Sequence, residues 1–385
     1  MKILITTDLF TVTTNGVVTS TKNLYSALCL RGHDVRILTL SADRKSKKEE
    51  SIYYVKSASL EVVYPGVRVA LSYKNKLIDE LIEWKPDVIH SQCEFFSYQF
   101  ALQVAKKTHA PIVHTYHTMY EEYVGYVFPA KKIGKWAVKI FIKNRLKKAA
   151  AIIVPTTKVK GALENFGINK QISVIPSGIN LDQHKNLLSD GQKLAKKTQL
   201  GIDKDKFVMI NLGRMGDEKR VDELLEFYAK ALKTLPNITF LVVGDGPAKE
   251  GLEKLSEKLG INKKVVFTGK VLPSEVHTYY QLGDLFVSAS TSETQGLTYV
   301  EAMANGLPLL CRKDDCLSDV IVEGVNGYTY QTEEQFLQRL TQIYSDGNWC
   351  NSAKEQSLNI SKKYDRNNFA LAVEEIYLSV LKSNK

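Results

Sequence analysis

Two glutamates with seven residues between them stand around a glycine: Glu293 precedes Gly296, and Glu301 follows it. The apolar run 285–287 predicts a strand before them, and a helix is predicted to begin near Leu297. Backbone amides at a helix N-terminus bind anions, and a glycine there leaves them exposed. Two carboxylates at such a site can accept hydrogen bonds from the hydroxyls of a ribose and of a hexose. The alternative is that Glu301 only interacts with the helix dipole and that Glu293 is solvated.

A second predicted strand, 207–212, is followed by a turn rich in glycine and basic side chains. The turn contains Gly213, Arg214 and Lys219 and leads into a predicted helix. Arginine presents a bidentate fork and lysine a point charge, and both suit a diphosphate. A solvated basic turn is the alternative. The segment does not have the GxxxxGK[ST] pattern of a P-loop.

The first predicted strand, 3–6, leads to Gly16 and a helix predicted at 17–30. Gly16 lets the backbone approach a ligand closely. A complete GxGxxG pattern is missing, so the sequence does not indicate a Rossmann site for a dinucleotide. The shorter pair Gly244 and Gly246 is interpreted as a turn.

His114 and His117 lie at the end of the predicted strand 112–115, on the sheet edge where ligands of α/β proteins bind. A core histidine with satisfied hydrogen bonds is the alternative for each. Asp203 and Asp205 form an Asp-x-Asp pair, but they precede a strand and stand among lysines. A surface turn is therefore predicted there, and no metal site.

Residues 131–148 contain eight basic side chains with aromatic residues among them. As a helix this segment is cationic and amphipathic, which is typical of helices on an anionic membrane surface. The alternative is a lysine-coated helix whose aromatic face packs in the core. Nucleic acid is not a predicted partner, because no recognised binding motif accompanies the charge. The residues predicted to dock on the membrane are Lys135, Trp136, Lys139, Phe141, Lys143 and Lys147.

A regular alternation of predicted strands and helices connects these segments. It indicates parallel sheets covered by helices on both faces. The predicted fold class is α/β, with two doubly wound, Rossmann-like domains that face each other across a cleft. The polar, lysine-rich segment 182–201 indicates the domain boundary. The predicted strands are 3–6, 35–40, 88–90, 112–115 and 151–155 in the first half and 207–212, 239–243, 265–268, 285–289 and 308–311 in the second.

The bulk composition agrees with a protein of two domains. The chain has 385 residues and a formal net charge of +10, which favours anionic partners, although a merely soluble basic surface is the alternative. No uninterrupted apolar run reaches the roughly 18 residues that a transmembrane helix needs. The five cysteines include no CxxC pair. Reduced thiols in the cytosol are therefore expected.

Together these segments resemble the family-4 retaining glycosyltransferases, which have the two-domain GT-B fold. The resemblance covers nearly the whole chain, and as a set its motifs are highly specific. They are the glycine loop 15–17, His117, the hinge sequence 175–180, Gly213 and Arg214 with Lys219, and the pair Glu293 and Glu301.

The resemblance implies a role for each of these residues. Arg214 and Lys219 would hold the pyrophosphate of the donor. Glu301 would bind the ribose, Glu293 would face the transferred sugar, and His117 would contact that sugar near the reacting carbon. The backbone around the pyrophosphate would be contributed by Gly16, Gly296, Leu297 and Thr298.

The resemblance also implies how the work is divided along the chain. Residues 1–185 would form an N-terminal acceptor-binding domain, with the C-terminal helix 365–385 packed back on it. Residues 186–364 would form the domain that binds the nucleotide sugar. No cofactor or metal is expected besides this donor substrate, for which UDP-glucose is the expectation.

Residues 312–321 depart from the family pattern, because many members have a Gly-Gly pair after this strand. This departure and the segment 117–123 are similar to the bacterial glucosyltransferases that act on diacylglycerol. The similarity implies hexosyl transfer to diacylglycerol, for glycolipid synthesis, by a peripheral protein on the inner face of the cell membrane. The alternatives are transfer to a cell-envelope polymer or a polyprenyl-linked acceptor and, in a different class, a sugar-nucleotide 2-epimerase.

Overall fold

The computed structural model describes residues 1–10, 15–60, 68–120 and 131–383. They belong to two units, of which one is Met1–Gly178 with Arg366–Lys385 and the other is Ile179–Asp365. Each unit is built around its own mainly parallel sheet. The predicted α/β class with two doubly wound domains is therefore confirmed.

The first unit has helices on both faces of its sheet. Its described helices are α1 (Gly16–Leu30), α2 (Lys76–Trp84), α3 (Phe96–Thr108), α4 (Lys131–Leu146), α5 (Thr157–Asn165) and the C-terminal α14 (Arg366–Ser383). Its described strands are β1 (Lys2–Thr6), β2 (Asp34–Leu40), β3 (Lys47–Glu49), β4 (Ile52–Val55), β5 (Ser57–Ser59), β6 (Arg68–Ala70), β7 (Val88–Ser91), β8 (Ile112–Thr115), β9 (Ala151–Val154) and β10 (Ile172–Val174).

Eight of these strands form one sheet in the order β10-β9-β8-β7-β1-β2-β4-β3, and β5 pairs with β6. Neighbours in the large sheet are parallel except β3 and β4. Alternate residues of β1 enter two apolar clusters: Ile3 and Ile5 pack with α1 and α14, whereas Leu4 packs with α2 and α3. This alternation follows from strand geometry and explains why the strand is apolar from Ile3 to Ile5.

The second unit repeats the plan with six parallel strands in the order β13-β12-β11-β14-β15-β16. These strands are β11 (Phe207–Leu212), β12 (Ile238–Val243), β13 (Val265–Phe267), β14 (Leu285–Ser288), β15 (Leu309–Arg312) and β16 (Gly327–Tyr330). The described helices are α6 (Leu181–His184), α7 (Asp190–Gln199), α8 (Val221–Ala231), α9 (Lys249–Lys258), α10 (Val276–Tyr280), α11 (Leu297–Ala304), α12 (Glu333–Ser345) and α13 (Gly347–Ser361).

The lysine-rich segment 182–201 lies in the second unit and carries α6 and α7. His184, at the end of α6, hydrogen-bonds through Nδ1 to Nδ2 of Asn305 at 2.8 Å. The units therefore divide after Gly178, somewhat before residue 185, where the sequence analysis ends the first domain. The physical reason is that this polar segment is held by side-chain contacts within the second unit.

The C-terminal helix α14 belongs to the first unit. Phe369 and Tyr377 are buried in the same apolar cluster as Ile3, and α14 also lies against α1. The hydroxyl of Tyr377 is 2.6 Å from Nδ1 of the buried His90. The chain therefore returns to complete the core that its first strand begins.

Candidate active site

The strand order reverses at one point in each sheet, and the candidate site residues follow the strands at those points. In the second unit the reversal lies between β11 and β14, and in the first unit between β1 and β7. Loops at the carboxyl ends of such neighbouring strands diverge and leave room for a ligand. Arg214 follows β11, Glu293 follows β14, and Gly16 follows β1.

The loop that carries Arg214 is held by the backbone of the strand beside it. The N–H of Gly213 donates to the carbonyl of Val243 at 3.0 Å, and the N–H of Met215 donates to the carbonyl of Asp245 at 2.9 Å. Met215 is buried, so the basic loop is anchored to the core. The side chain of Arg214 stays partly exposed.

Gly244 and Gly246 do more than form the turn that the sequence indicates. A Cβ atom at Gly244 would overlap the carbonyl oxygen of Gly213, and a Cβ atom at Gly246 would overlap that of Met215. Only glycines allow the two loops to lie this close. The signal in the sequence was their position directly after the strand next to β11.

Lys219 and Glu293 form an ion pair that joins the two loops. Burial opposes the positive charge, but the carboxylate of Glu293 raises the pKa of Lys219 above its ordinary value. Arg214 pairs with Glu218 one turn along. The structure thus brings together Arg214, Lys219 and Glu293, which the sequence analysis assigned to one site.

Gly296 is required at the start of α11. Its φ is +74°, a left-handed value that favours glycine, and a Cβ atom there would overlap the ring of Tyr299. That ring is buried, and its hydroxyl is 3.2 Å from Oγ of Ser288. α11 therefore begins at Leu297 with Thr298 in its first turn, and their backbone N–H groups lack partners earlier in the helix.

Glu301 lies in the second turn of α11, with its carboxyl group surrounded by protein. The hydroxyl of Tyr280 donates to its Oε2 at 3.0 Å. Burial raises the pKa of Glu301 to about 7, although the hydrogen bond from Tyr280 lowers it. The neutral and ionised forms of the carboxyl group are therefore both populated near neutral pH.

In the first unit Gly16 begins α1. Oδ1 of Asn15 accepts a hydrogen bond from the N–H of Val17 at 2.9 Å and so caps the helix. A Cβ atom at Gly16 would meet no other atom within 4 Å. The glycine thus leaves the backbone of this helix terminus uncovered, as an approaching diphosphate would require.

His117 follows β8 and is partly buried. Its Nε2 lies 2.7 Å from Oε1 of Gln92, the residue that follows β7. Burial, and then the positive charge that His114 would carry, lower the pKa of His117 to about 3. The imidazole is therefore neutral at physiological pH. The sequence analysis missed Gln92, although its place after a predicted strand put it on the same sheet edge.

A buried carboxylate, Glu94, lies next to this histidine pair. It contacts Nε2 of His114 at 3.0 Å and accepts a hydrogen bond from the hydroxyl of Tyr120. Asp8 accepts a hydrogen bond from the N–H of Ser97 at 2.7 Å, at the start of α3. Burial raises the pKa of Asp8 to about 6, although its hydrogen bond to Ser97 lowers it. These polar groups fix the loops that follow β1, β7 and β8.

The helix α4 presents a mixed surface. Trp136 is 65% exposed and Ile140 is 39% exposed, whereas Ile142 and Leu146 are buried. Phe141, which the sequence analysis placed at the membrane, stacks on Phe95 with ring centroids 5.5 Å apart. From residue 134 onward, the large apolar side chains that α4 exposes are Trp136 and Ile140.

The lysines of α4 lie at the surface or at its margin. Lys135 and Lys147 are exposed, and Lys139 and Lys143 are half-buried. The ammonium group of Lys139 donates to the carbonyl of Asn165 at 3.2 Å. None of the four has a carboxylate partner among the described ion pairs.

No metal centre is found in the part of the chain that the structure describes, where no group of three or more His, Cys, Asp or Glu side chains could hold an ion. Asp203 and Asp205 lie in an exposed turn before β11, and Oδ1 of Asp203 accepts the N–H of Asp205 at 3.5 Å. None of the five cysteines forms a disulfide. None of the helices described is long and apolar enough to span a bilayer.

A solved structure has the same fold as this chain. HepE of Anabaena, solved in complex with UDP, aligns with a TM-score of 0.77 at 16% identity. The alignment covers 98% of this chain and 100% of HepE. Two doubly wound domains, each with one reversal point in its sheet, are the architecture of the GT-B fold.

Two family models match the chain: Glycosyltransferase Family 4 at residues 14–183 and Glycosyl transferases group 1 at residues 192–360. The alpha-monoglucosyldiacylglycerol synthase of Acholeplasma laidlawii is 33% identical, over 100% of this chain and 98% of its own. The synthase of that name from Streptococcus pneumoniae R6 is 30% identical, over 100% and 87%. The chain belongs to family 4 of the glycosyltransferases, and the predicted resemblance is confirmed.

Proposed function

We propose that this glycosyltransferase moves glucose from UDP-glucose to 1,2-diacylglycerol, with retention of the anomeric configuration. The product is a monoglucosyl-diacylglycerol for membrane glycolipid synthesis. The observation that carries the proposal is the similarity, over the whole chain, to two synthases named for that product. UDP is proposed as the nucleotide because HepE, which shares the fold, was solved with UDP.

The second unit supplies the groups proposed to bind the donor. Arg214 and Lys219 hold the pyrophosphate, and Glu301 accepts hydrogen bonds from the ribose hydroxyls. Glu293 is proposed to face the transferred sugar. Its ion pair with Lys219 supports this role, because a sugar and the pyrophosphate attached to it need neighbouring contacts. The backbone N–H groups from Gly296 to Thr298 complete the anion site.

The first unit supplies the groups proposed to act near the acceptor. Gly16 lets a helix N-terminus approach the pyrophosphate, and His117 contacts the transferred sugar. Because the pKa of His117 is lowered to about 3, it acts as a neutral hydrogen-bonding group and not as a cation. The alternative role of a core histidine would leave sugar transfer unaffected by its replacement.

The chemistry follows from the charges that develop during transfer. Departure of the nucleotide diphosphate builds negative charge on the leaving oxygen and positive, oxocarbenium-like character on the sugar. Arg214, Lys219 and the N–H groups of α11 stabilise the leaving group without a metal. Retention is compatible with double displacement or with attack from the face that the leaving phosphate occupies, and the second route is the family expectation.

Because diacylglycerol resides in a bilayer, we infer peripheral binding to the cytoplasmic face of the membrane. The basic helix α4, with Trp136 exposed, is the proposed docking element. Its lysines attract anionic lipid, and its exposed apolar side chains enter the interface. The donor site lies in the other unit, so docking and donor binding can be tested separately.

A panel of donors against acceptors tests the proposal. UDP-glucose, UDP-galactose and UDP-N-acetylglucosamine are each incubated with diacylglycerol vesicles, a polyprenyl phosphate, or no acceptor. The expected result is α-glucosyl-diacylglycerol from UDP-glucose and diacylglycerol, with no transfer from the other two donors. Transfer only to the polyprenyl lipid would contradict the acceptor, and a changed nucleotide sugar without any acceptor would identify an epimerase.

A further inference from the structure

Gln92 is a buried polar residue that touches the histidine proposed to contact the transferred sugar. It is 1% exposed, and its backbone N–H donates to the carbonyl of Thr6 at 2.8 Å, so the residue is fixed to the central strand of the sheet. Its Oε1 lies 2.7 Å from Nε2 of His117. Burying an amide without hydrogen bonds costs free energy, so the contact with His117 is expected to be a hydrogen bond that satisfies Oε1 of Gln92.

The contact determines which ring nitrogen of His117 carries the proton. An amide oxygen can only accept a hydrogen bond, so Nε2 must be the donor. In a neutral imidazole the other nitrogen, Nδ1, is then bare and can accept one. Two imidazoles, His90 and His114, interact electrostatically with this ring. The nearby carboxylate of Glu94 hydrogen-bonds to His114, and none of the described contacts of His117 is to a carboxylate that would favour its doubly protonated form.

We propose that Gln92 is a positioning residue for sugar transfer: it holds His117 as the neutral Nε2–H tautomer, so that bare Nδ1 accepts a hydrogen bond from a hydroxyl of the transferred sugar. The inference rests on the proposed function for the identity of that ligand. Sugar hydroxyls are strong donors, and an acceptor of fixed direction orients the ring of the sugar for attack.

A second observation agrees with a site that receives a polar ligand. Nε2 of Gln92 is buried and has no partner among the described residues. Buried amide groups without partners are rare in folded proteins, and each one requires an explanation such as a catalytic role or a bound water. One amide atom of Gln92 therefore contacts His117, and the other is a donor that is available to a further oxygen.

The tautomer is measured directly by ¹⁵N NMR of protein labelled at histidine, because protonated and bare ring nitrogens differ widely in chemical shift. His117→Gln identifies the signals of this ring. We expect the Nε2–H pattern, unchanged between about pH 5 and pH 8, since the pKa of His117 lies near 3. An Nδ1–H pattern in the wild type would overturn the proposal.

One variant and its matched control connect the tautomer to transfer. Gln92→Met keeps the shape of the side chain but removes the acceptor, and Gln171→Met, at an exposed position of the same unit, is the matched control. Gln92→Met should give mixed tautomers and lower kcat by about tenfold, the cost of a lost buried hydrogen bond, with a smaller change in the donor KM. Retention of the Nε2–H pattern, or loss of it with unchanged kcat, would each refute the positioning role.

Gln92→Glu provides an independent test of the contact. It can be used even if the methionine variant does not fold. A carboxylate still accepts from Nε2–H, but its charge raises the pKa of His117. The variant should keep the tautomer. At saturating donor, where the effect of Glu301 on donor affinity does not limit the rate, its kcat should show an acid limb that the wild type does not have. An unchanged profile would contradict the contact. Because the NMR pattern does not depend on turnover, failure of the proposed function would leave the tautomer result intact.

Discussion

Each basic side chain proposed to bind the pyrophosphate already contacts a carboxylate of the protein. Lys219 pairs with Glu293, and Arg214 pairs with Glu218. These pairs reduce the cost of keeping two partly buried cations close together. A pyrophosphate that binds here competes with the carboxylates, so the side chains are held in place but remain exchangeable.

Arg214→Ala and Lys219→Ala should each lower the rate of transfer by roughly 100- to 1000-fold, because each removes a charge that stabilises the leaving group. Preference among donor sugars should change little. Steady-state kinetics with several UDP-sugars provide the measurement. A variant that kept its rate but selected a different sugar would show that the residue reads the sugar and not the pyrophosphate.

Glu293→Gln and Glu301→Gln should both lose activity while remaining folded. Each replacement keeps the size of the side chain and removes a charged hydrogen-bond acceptor, which costs about 1.5–3 kcal/mol. Thermal unfolding confirms folding, and kcat/KM for the donor measures the loss. Turnover close to wild type in both variants would remove the donor-site assignment.

The raised pKa of Glu301 predicts that donor affinity depends on pH. The ionised carboxylate is the better acceptor for ribose hydroxyls, so affinity should fall as pH decreases through about 7, by up to about tenfold per pH unit. UDP-glucose is the suitable probe because its diphosphate does not titrate in this range. Isothermal titration between about pH 6 and pH 8 should show a slope for the wild type and none for Glu301→Gln.

The same pKa shift predicts that stability falls as pH rises, whereas donor affinity increases. The opposite pH dependence of stability serves as a control for the affinity measurement. Since the folded-state pKa of Glu301 lies above the ordinary 4.5, the folded protein binds the extra proton between about pH 4.5 and pH 7. This contribution to stability is complete at low pH and is lost as pH rises through about 7. Glu301→Gln should therefore unfold at a slightly higher temperature than the wild type at about pH 8.

At the scale of elements, the strands that the sequence predicted are those with uninterrupted apolar runs. Both sheet faces are covered, so β1, β11 and β12 are apolar at every position except a few, and their signal is strong. The sequence analysis left out β3, an exposed three-residue strand of Lys47–Glu49, because such a segment carries no apolar pattern. Short edge strands are held by backbone hydrogen bonds, and these leave no apolar pattern in the sequence from which the strand could be predicted.

The helix α7 was hidden for a different reason. It has no buried residue, so no apolar stripe indicated it, and its lysines were interpreted as a boundary between domains. The start of the helix could nevertheless have been predicted from Ser189 and Gln192. The side chain of Ser189 accepts a hydrogen bond from the backbone N–H of Gln192, and the side chain of Gln192 accepts one from the backbone N–H of Ser189. This reciprocal cap was the available signal.

The site residues proposed from the sequence are those whose residue type itself carries the chemistry, such as Arg214 and the glutamate pair. Residues proposed to act by supporting others were not predicted. Gln92 is an ordinary amide in the sequence, and its place beside His117 depends on two strands being neighbours in the sheet. Gly244 and Gly246 depend likewise on the contact between two loops.

The close approach of those loops gives a prediction at the scale of elements. Gly246→Ala should destabilise the second unit by about 1–3 kcal/mol, because the added Cβ forces the two loops apart. Donor binding should weaken as well, since the loop carries Arg214. Gly251→Ala is the matched control: Gly251 lies in α9 with no atom near its Cβ position, and alanine there should stabilise the helix. Equal unfolding temperatures for the two variants would contradict the bracing role.

At the scale of the whole molecule, the excess of positive charge raises the question of whether net charge or one surface draws the protein to a membrane. The chain carries 52 basic and 42 acidic residues, so basic side chains occur on both units. A general excess would attract anionic lipid from any direction. If the protein docks through α4, the lysines of α4 should contribute more to vesicle binding than other exposed lysines do.

Replacing Lys135, Lys139, Lys143 and Lys147 by glutamine should release the protein from anionic vesicles. Each basic residue near such a surface contributes about 1 kcal/mol, and salt screens the attraction. Co-sedimentation at low and high salt measures the release. Activity on a short-chain, soluble diacylglycerol should survive, because the proposed donor site lies in the second unit.

Two controls separate a docking helix from net charge and from a core element. Removing four exposed lysines of the second unit changes the net charge equally and should leave vesicle binding nearly intact; suitable positions are Lys204, Lys233, Lys258 and Lys263. Trp136→Ala should weaken the binding that remains at high salt, since its exposed ring is free to enter the interface. Phe141→Ala should instead lower stability, because Phe141 stacks on Phe95. Wild-type binding by the quadruple α4 variant would assign membrane docking to another surface and leave α4 as a lysine-coated part of the fold.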